Sequence, residues 1–343
     1  MRPFSSPKLP SFTMSNTTIA RAGSSKVHAA LPIVFIDGEA GTTGLEIRRR
    51  LAAVPGIEVK SITAEKRKDE AARRAMMAEA DLVVLCLPDR AALEAVALVS
   101  SLGDHAPRVV DASTAHRVAE GWVYGFPEMD AGQAAAIRRA RRVSNPGCYP
   151  TGAIALLRPL VDRGLLPADH PVTVNAVSGY SGGGRSMIEA YETGAAPAFE
   201  LYGLTLQHKH VPELQKYARL GRRPIFVPSV GNFRQGMLVS VPLHLDTLPA
   251  RPSARDLEAA LAEHYAGARL VKVARPDDTP AGGERLDALA LNDTDVLELR
   301  VFANEKHRQA VLVARLDNLG KGAAGAAVQN IMLMLAIAQP DLS

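Results

Sequence analysis

Cysteine is nearly absent: Cys86 and Cys148 are the only two in 343 residues. Two thiols make no disulfide framework, which excludes a stapled secreted scaffold and predicts a reducing, cytoplasmic setting. Long apolar runs are missing too, so no segment is suited to cross a bilayer as a helix. Acids are missing from residues 1–36, which carry Arg2, Lys8, Arg21 and Lys26; the rest balances 36 basic residues against 36 acidic ones. A neutral body gives no electrostatic case for binding nucleic acid or a membrane surface.

The acid-free start, rich in Ser, Thr, Pro and Arg, predicts a disordered extension over residues 1–30. Its composition resembles an organelle transit peptide, without the apolar core of a secretory signal. An upstream start codon, with translation from Met14, is the plainer reading. The remaining length suffices for two domains.

From Pro32 the chain becomes regular. "IVFID", "IEVKSIT", "DLVVLCLP" and "RVVDAS" read as strands, and "LEIRRRLAAV", "DEAARRAMMAEA" and "ALEAVALVSSL" as the helices between them. Near-continuous apolar strands alternating with helices predict an α/β fold with a parallel, doubly wound sheet. Cys86, inside the third strand, reads as a small core hydrophobe. Around residue 148 the texture changes. "VTVNAVSG", "RPIFVPSVG", "GMLVSVPLHL", "VLELRVFAN" and "AVLVARLDN" are β-rich and less regularly separated, which predicts a second, mixed sheet. "KGAAGAAVQNIMLMLAIA" closes the chain as a small-residue apolar helix.

Gly38, Gly41 and Gly44 are spaced three apart between the first strand and the first helix. Glycines there let the backbone bend and approach a pyrophosphate, while the helix offers free N–H groups to the anion. The alternative is a tight turn with no ligand. A dinucleotide site also reads the ribose near the end of the second strand, expected near Ile62. Ser61 followed by Lys66, Arg67 and Lys68 suits a 2′-phosphate, hence NADP over NAD; a solvated basic stretch is the other reading.

Cys148 follows "SNPG" and precedes Pro150, well placed in the first turn of a helix. The helix would aim its N-terminus at the sulfur and favour thiolate, the nucleophilic form. An inert, structural cysteine is the bland alternative. A nucleophilic thiol behind a nicotinamide site implies attack on an acyl group or aldehyde, through a thioester or thiohemiacetal. Acid/base work falls to His208 and His210 of "HKHVPEL", with Glu213 expected to orient His210 and hold its tautomer. A metal reading of H-x-H plus Glu needs a further ligand and sets a thiophilic ion beside the nucleophile; we expect no metal. Ser113 and Arg117 lie just past the fourth strand, at the ligand-binding edge. Arg117 and Arg185 are candidates for a substrate carboxylate or phosphate, with a surface ion pair as the alternative for Arg117. Arg185 follows three glycines, so its loop is expected to move and close on substrate. Asn145 and the Cys148 N–H are candidate oxyanion donors.

"FIDGEAGTTGLEI", "SNPGCYPTGAIALLRPL", "SGYSGGGRSM", "HKHVPEL" and "LDNLGKGAAGAAVQN" together resemble N-acetyl-γ-glutamyl-phosphate reductase of arginine biosynthesis, in its second, shorter type. The resemblance runs from Ile33 to the C-terminus. It implies NADPH-dependent reduction of the acyl phosphate to N-acetylglutamate semialdehyde, with Cys148 as nucleophile and His210 as acid/base, supported by His208 and Glu213. It implies cofactor contacts from Gly38, Ala40, Gly41, Thr42, Thr43, Gly44, Ser61, Arg67, Ser113, Asn318 and Gly320. Substrate contacts would come from Arg117, Asn145, Ser178, Gly179 and Arg185. The implied architecture is an NADP-binding domain over 31–148 and 318–343, with a catalytic and oligomerisation domain over 149–317. The last helix would return to the first domain, and the chain would form a homo-oligomer, a dimer or tetramer. Rival readings are aspartate-semialdehyde dehydrogenase, an aminoadipyl-phosphate reductase one methylene longer in substrate, a cysteine hydrolase, and an idle nucleotide-binding protein.

Overall fold

A computed structural model describes residues 31–274 and 285–338. The N-terminal extension over 1–30 lies outside the described residues.

Sheet A contains β1 (Ile33–Asp37), β2 (Glu58–Lys60), β3 (Leu82–Leu85), β4 (Arg108–Asp111), β5 (Val123–Tyr124) and β6 (Arg142–Ser144), in the order β2-β1-β3-β4-β6-β5. Every pairing is parallel. β3 is buried at all four positions, as the unbroken run LVVL requires of a strand covered on both faces. β2 is shorter than expected: it ends at Lys60 rather than near Ile62, because an edge strand with mostly polar residues has little apolar surface to bury.

Helices α1 (Thr42–Leu51), α2 (Glu70–Glu79), α3 (Asp89–Ser100) and α4 (Gln133–Arg139) flank this sheet. The Asp69 side chain caps α2 by accepting from the Ala72 N–H.

Past β6 the chain enters α5 (Cys148–Asp162), whose residues 149–160 are all buried. It lies on sheet B, ordered β11-β12-β13-β10-β7-β9-β8, which mixes parallel and antiparallel pairs. Its strands are β7 (Thr173–Gly179), β8 (Phe199–Leu201), β9 (Ile225–Gly231), β10 (Met237–His244), β11 (Val271–Val273), β12 (Leu297–Asn304) and β13 (Gln309–Leu316). The alternating burial of β10 follows from one covered face: Val239 and Val241 share a core with Leu156 of α5 and Leu261 of α8 (Ala254–His264). The other face leaves a shallow hollow of about 500 Å³ lined by Leu201, Val227, Leu238, Phe302 and Val311.

Two short helices border the site, α6 (Arg185–Glu192) and α7 (Val211–Tyr217). After β13 the chain makes a π-helical turn, Gly320–Ala324, and runs into α9 (Gly325–Met334). Ala327, Ile331 and Met332 of α9 pack with Ile36 of β1 and Ile47 of α1. The last helix thus returns to the first sheet.

Candidate active site

The chain leaves β1 to β2 on one side and finds β3 on the other, so the crevice at the carboxyl ends of β1 and β3 is a topological switch point. Gly38 stands there with φ of 90°, and a β-carbon on it would lie 2.3 Å from the Cys86 carbonyl oxygen. Only glycine fits that turn. A β-carbon on Gly44 would lie 2.6 Å from the Gly38 carbonyl, so the helix start is drawn tight onto the turn. Gly41 is the extended N-cap of α1; no side chain caps the helix and no acid occupies its first turn. This open, positive helix start fits a dinucleotide pyrophosphate.

From the same edge of sheet A, β6 delivers Asn145, Pro146 and Gly147 to the start of α5. Gly147 is the extended N-cap, and Cys148 is the first helical residue. Cys148 opens on a cavity of about 290 Å³ that reaches Thr43 of α1. Its wall includes Arg117, Asn145, Ser178, Gly179, His208, His210 and Asn318, all expected from sequence. Opposite the cysteine, the π-helical turn presents Gly322, where a β-carbon would lie 2.9 Å from the Cys148 Cβ. Ala323 accepts a hydrogen bond from Asn145 Nδ2 (3.0 Å), and Asn145 Oδ1 accepts from Asn330 Nδ2 (3.1 Å).

Three side chains crowd the backbone just before the cysteine. A β-carbon on Gly147 would lie 2.6 Å from Arg117 Nη1, 2.7 Å from Glu213 Oε1 and 2.8 Å from His210 Nε2. The sequence expectation for Glu213 does not hold in this geometry. Its carboxylate accepts from Arg117 Nη1 (2.6 Å), Tyr124 Oη (2.8 Å) and the Gly147 N–H (3.1 Å), and makes no bond to His210. His210 Nδ1 is buried and has no hydrogen-bond partner. Among the described residues, no three His, Cys, Asp or Glu side chains group as metal ligands.

The electrostatics also differ from the simple helix-dipole expectation. Burial pushes the Cys148 thiol up to about 11, against the pull of Arg117 and of backbone N–H groups in the other direction. Desolvation outweighs the helix terminus because the sulfur is packed in from all sides. His210 lies well below the ordinary imidazole range, chiefly by burial and then by the charge of Arg117. His208 is brought down to about 4, again mainly by burial. The His210 backbone N–H donates to His208 Nδ1 (3.2 Å), which leaves the His208 proton on Nε2. The free site is thus a neutral thiol beside two neutral imidazoles. Arg117 is buried: its Nε donates to the Asn145 carbonyl (3.0 Å), and although burial pulls its pKa down, Glu213, Tyr124 and Cys148 together raise it. It is no surface ion pair.

Other expected residues stand off the cavity. Ser113 Oγ and N–H both donate to Asp111 (2.7 and 2.9 Å), which also pairs with His116 Nδ1 (2.6 Å). Gly320 is packed against the Thr294 carbonyl. Arg185 is not on a loop poised to close; it is the first residue of α6, and its Nη2 donates to the Ala40 carbonyl (3.0 Å) in the glycine turn. Arg67 Nε donates to the Ala64 carbonyl (3.1 Å). Ser61 hydrogen-bonds with Arg48 and Glu39. Sequence reasoning passed over Gly147, Lys209, Tyr149, Tyr202 and Ser181 on the wall. Lys209 stood in plain view between the two histidines. Tyr202, whose hydroxyl donates to Tyr149 Oη (3.2 Å), left no signal in the sequence.

The two sheets and the site between them fall in two parts of one family, the semialdehyde dehydrogenases. The family profile described as "Semialdehyde dehydrogenase, NAD binding domain" matches residues 33–137, and "Semialdehyde dehydrogenase, dimerisation domain" matches 148–318. An aspartate semialdehyde dehydrogenase from Francisella tularensis has the same fold, with a TM-score of 0.67 at 12% identity, covering 90% of this chain and 100% of that one. Among curated proteins, N-acetyl-gamma-glutamyl-phosphate reductase of Chelativorans sp. (strain BNC1) is 56% identical over 88% of this chain and 97% of its own length. N-acetyl-gamma-glutamyl-phosphate reductase 2 of Pseudomonas putida is 52% identical over 90% of this chain and 98% of its own. The chain belongs to the N-acetyl-gamma-glutamyl-phosphate reductase family.

Proposed function

We propose that this chain reduces N-acetyl-γ-glutamyl phosphate to N-acetylglutamate 5-semialdehyde and phosphate, with NADPH as reductant. The observation that carries the reading is the single cavity joining Cys148 and a neutral His210 to the glycine turn at Thr43. Cys148 Sγ attacks the acyl carbon, the carbon–oxygen bond to phosphate breaks, and an acyl thioester forms on the cysteine. Because the free thiol is neutral, its proton leaves during the attack; neutral His210 is the acceptor and later returns it. Arg117 supplies the positive charge that favours thiolate and a phosphate leaving group. The Cys148 N–H, at the uncapped start of α5, is the oxyanion donor, with Asn145 beside it. NADPH, when bound, supplies the hydride that turns thioester into aldehyde. Ser178 and Gly179 hold the substrate's far end.

We read residues 31–148 with 318–343 as the NADP-binding part, supported by the packing of α9 beside α1, and 149–317 as the catalytic and oligomerisation part. The apolar open face of sheet B suits a homo-oligomer, a dimer or tetramer. The two free cysteines suit a cytoplasmic protein. No helix among the described residues is long and apolar enough to cross a membrane, and the balanced charge past residue 36 gives no electrostatic case for nucleic acid.

The test runs the reaction backward with N-acetylglutamate semialdehyde, NADP⁺ and phosphate, reading NADPH absorbance beside Cys148→Ser. Phosphate-dependent NADPH formation that the variant abolishes supports the reading. Folded protein that forms no NADPH from this aldehyde, but does from the aminoadipyl homologue, moves the assignment to the longer substrate.

A further inference from the structure

Ser61 stands twenty residues after Gly41, just past the end of β2, where dinucleotide-binding folds place the residue that reads the adenosine ribose. An NAD-preferring fold puts a carboxylate there. Here the carboxylate arrives from another direction. Glu39, inside the glycine turn, accepts from Ser61 Oγ at 2.6 Å. Arg48, in the last turn of α1, reaches the same point: its Nη1 lies 2.9 Å from Glu39 Oε1 and also donates to Ser61 Oγ. Three polar groups from three elements therefore converge at the ribose position. None is engaged deeper in the fold, and both charged side chains keep contact with solvent. An exposed ion pair of this kind adds little to stability.

The chemistry of the trio is that of a selector. A carboxylate beside a hydroxyl accepts from a ribose 2′-hydroxyl but repels a 2′-phosphate. A guanidinium pairs bidentately with a phosphate, more strongly than with a half-solvated carboxylate, since a phosphate offers more charge and three acceptor oxygens. Of the basic residues after β2, Arg67 turns its Nε to the Ala64 carbonyl.

We propose that Glu39, Arg48 and Ser61 choose the cofactor. Arg48 exchanges the Glu39 carboxylate for the 2′-phosphate, with Ser61 as second donor. When the phosphate is absent, Glu39 accepts from the ribose 2′-hydroxyl. The inference rests on the dinucleotide reading of the glycine turn. It makes Arg48, which sequence reasoning passed over, the main 2′-phosphate ligand, and Glu39 the residue that keeps the non-phosphorylated cofactor acceptable.

The test reads binding rather than turnover. Isothermal titration with 2′,5′-ADP and with 5′-AMP isolates the 2′-phosphate in wild type, Arg48→Ala and Glu39→Ala. Arg48→Ala is expected to weaken 2′,5′-ADP by about 10- to 100-fold and to leave 5′-AMP within about twofold. Glu39→Ala is expected to move the two ligands in opposite directions, 2′,5′-ADP tighter and 5′-AMP weaker, each by about three- to tenfold. Arg48→Lys should recover part of the lost affinity, because a point charge replaces a planar fork. Equal changes for both ligands in either variant, or none, would overturn the exchange while the dinucleotide site stands. Wild-type protein that binds neither fragment would remove the dinucleotide reading itself, and the exchange with it.

Discussion

Helices α1 and α5 begin alike and end up with different work. Each has an extended glycine N-cap, no side-chain cap and no acid in its first turn. At Gly41 the space beyond is open: a β-carbon would meet nothing closer than 3.4 Å. At Gly147 the space is filled by Arg117, Glu213 and His210. The open start can receive an anion on its N–H groups. The crowded start packs three side chains around its cap, and these neighbours act on the side chain that follows. The same backbone device thus serves as a receptor in one place and as a setting for a nucleophile in the other. What decides is how much protein stands in front of it.

The largest effects should fall on the crowded start alone. Cys148→Ser is expected to lower kcat by on the order of 10⁴-fold or more, with nucleotide titrations unchanged; lost nucleotide affinity would mean that the two starts are not separable. His210→Ala should lower kcat by about 10²- to 10⁴-fold, and a variant near wild type would move the proton to His208.

Glu213→Gln leaves Arg117 buried without its charge partner and should destabilise the fold by about 3 kcal/mol in urea unfolding. A loss under about 1 kcal/mol would show Arg117 to be satisfied by its carbonyl partners alone. The glycines sharpen the contrast further. Gly147→Ala should cost about 1–3 kcal/mol by overpacking, whereas Gly41→Ala should stay within about 1 kcal/mol and weaken nucleotide binding instead.

The smallest effect concerns protonation. Because the Cys148 thiol sits near 11, its alkylation by iodoacetamide should climb about tenfold per pH unit from 7 to 9. A rate already flat at pH 7 would mean a preformed thiolate, and the helix terminus would then outweigh burial after all.

Much of this contrast was legible in the chain. A glycine turn after an apolar strand, and a lone cysteine after Pro-Gly, are local patterns with local causes. The two sheets were legible as textures, continuous runs first and alternation later. What stayed hidden depends on long-range contact. Glu213 lies three residues from His210 in sequence, yet its oxygens are drawn to Arg117 and Tyr124, nearly a hundred residues earlier. No spacing rule announces that. The upward shift of Cys148 was hidden for the same reason, since burial is a property of the assembled wall. Arg185 reads as mobile because glycines precede it, whereas the Ala40 carbonyl that holds it lies 145 residues earlier in the chain.

The turn that presses Gly322 against Cys148 has a consequence for how the protein comes into being. Cys148, Arg117 and His210 are all made well before residue 322, but the wall that faces the sulfur is supplied by a segment translated far later than the cysteine. At about 5–20 residues per second, a growing chain carries its thiol for many seconds with that side open. The hazard in that interval is oxidation or capture by a stray electrophile rather than misdirected reduction. Placing the Gly320–Ala324 turn against the sulfur is therefore also the step that covers the nucleophile on that side.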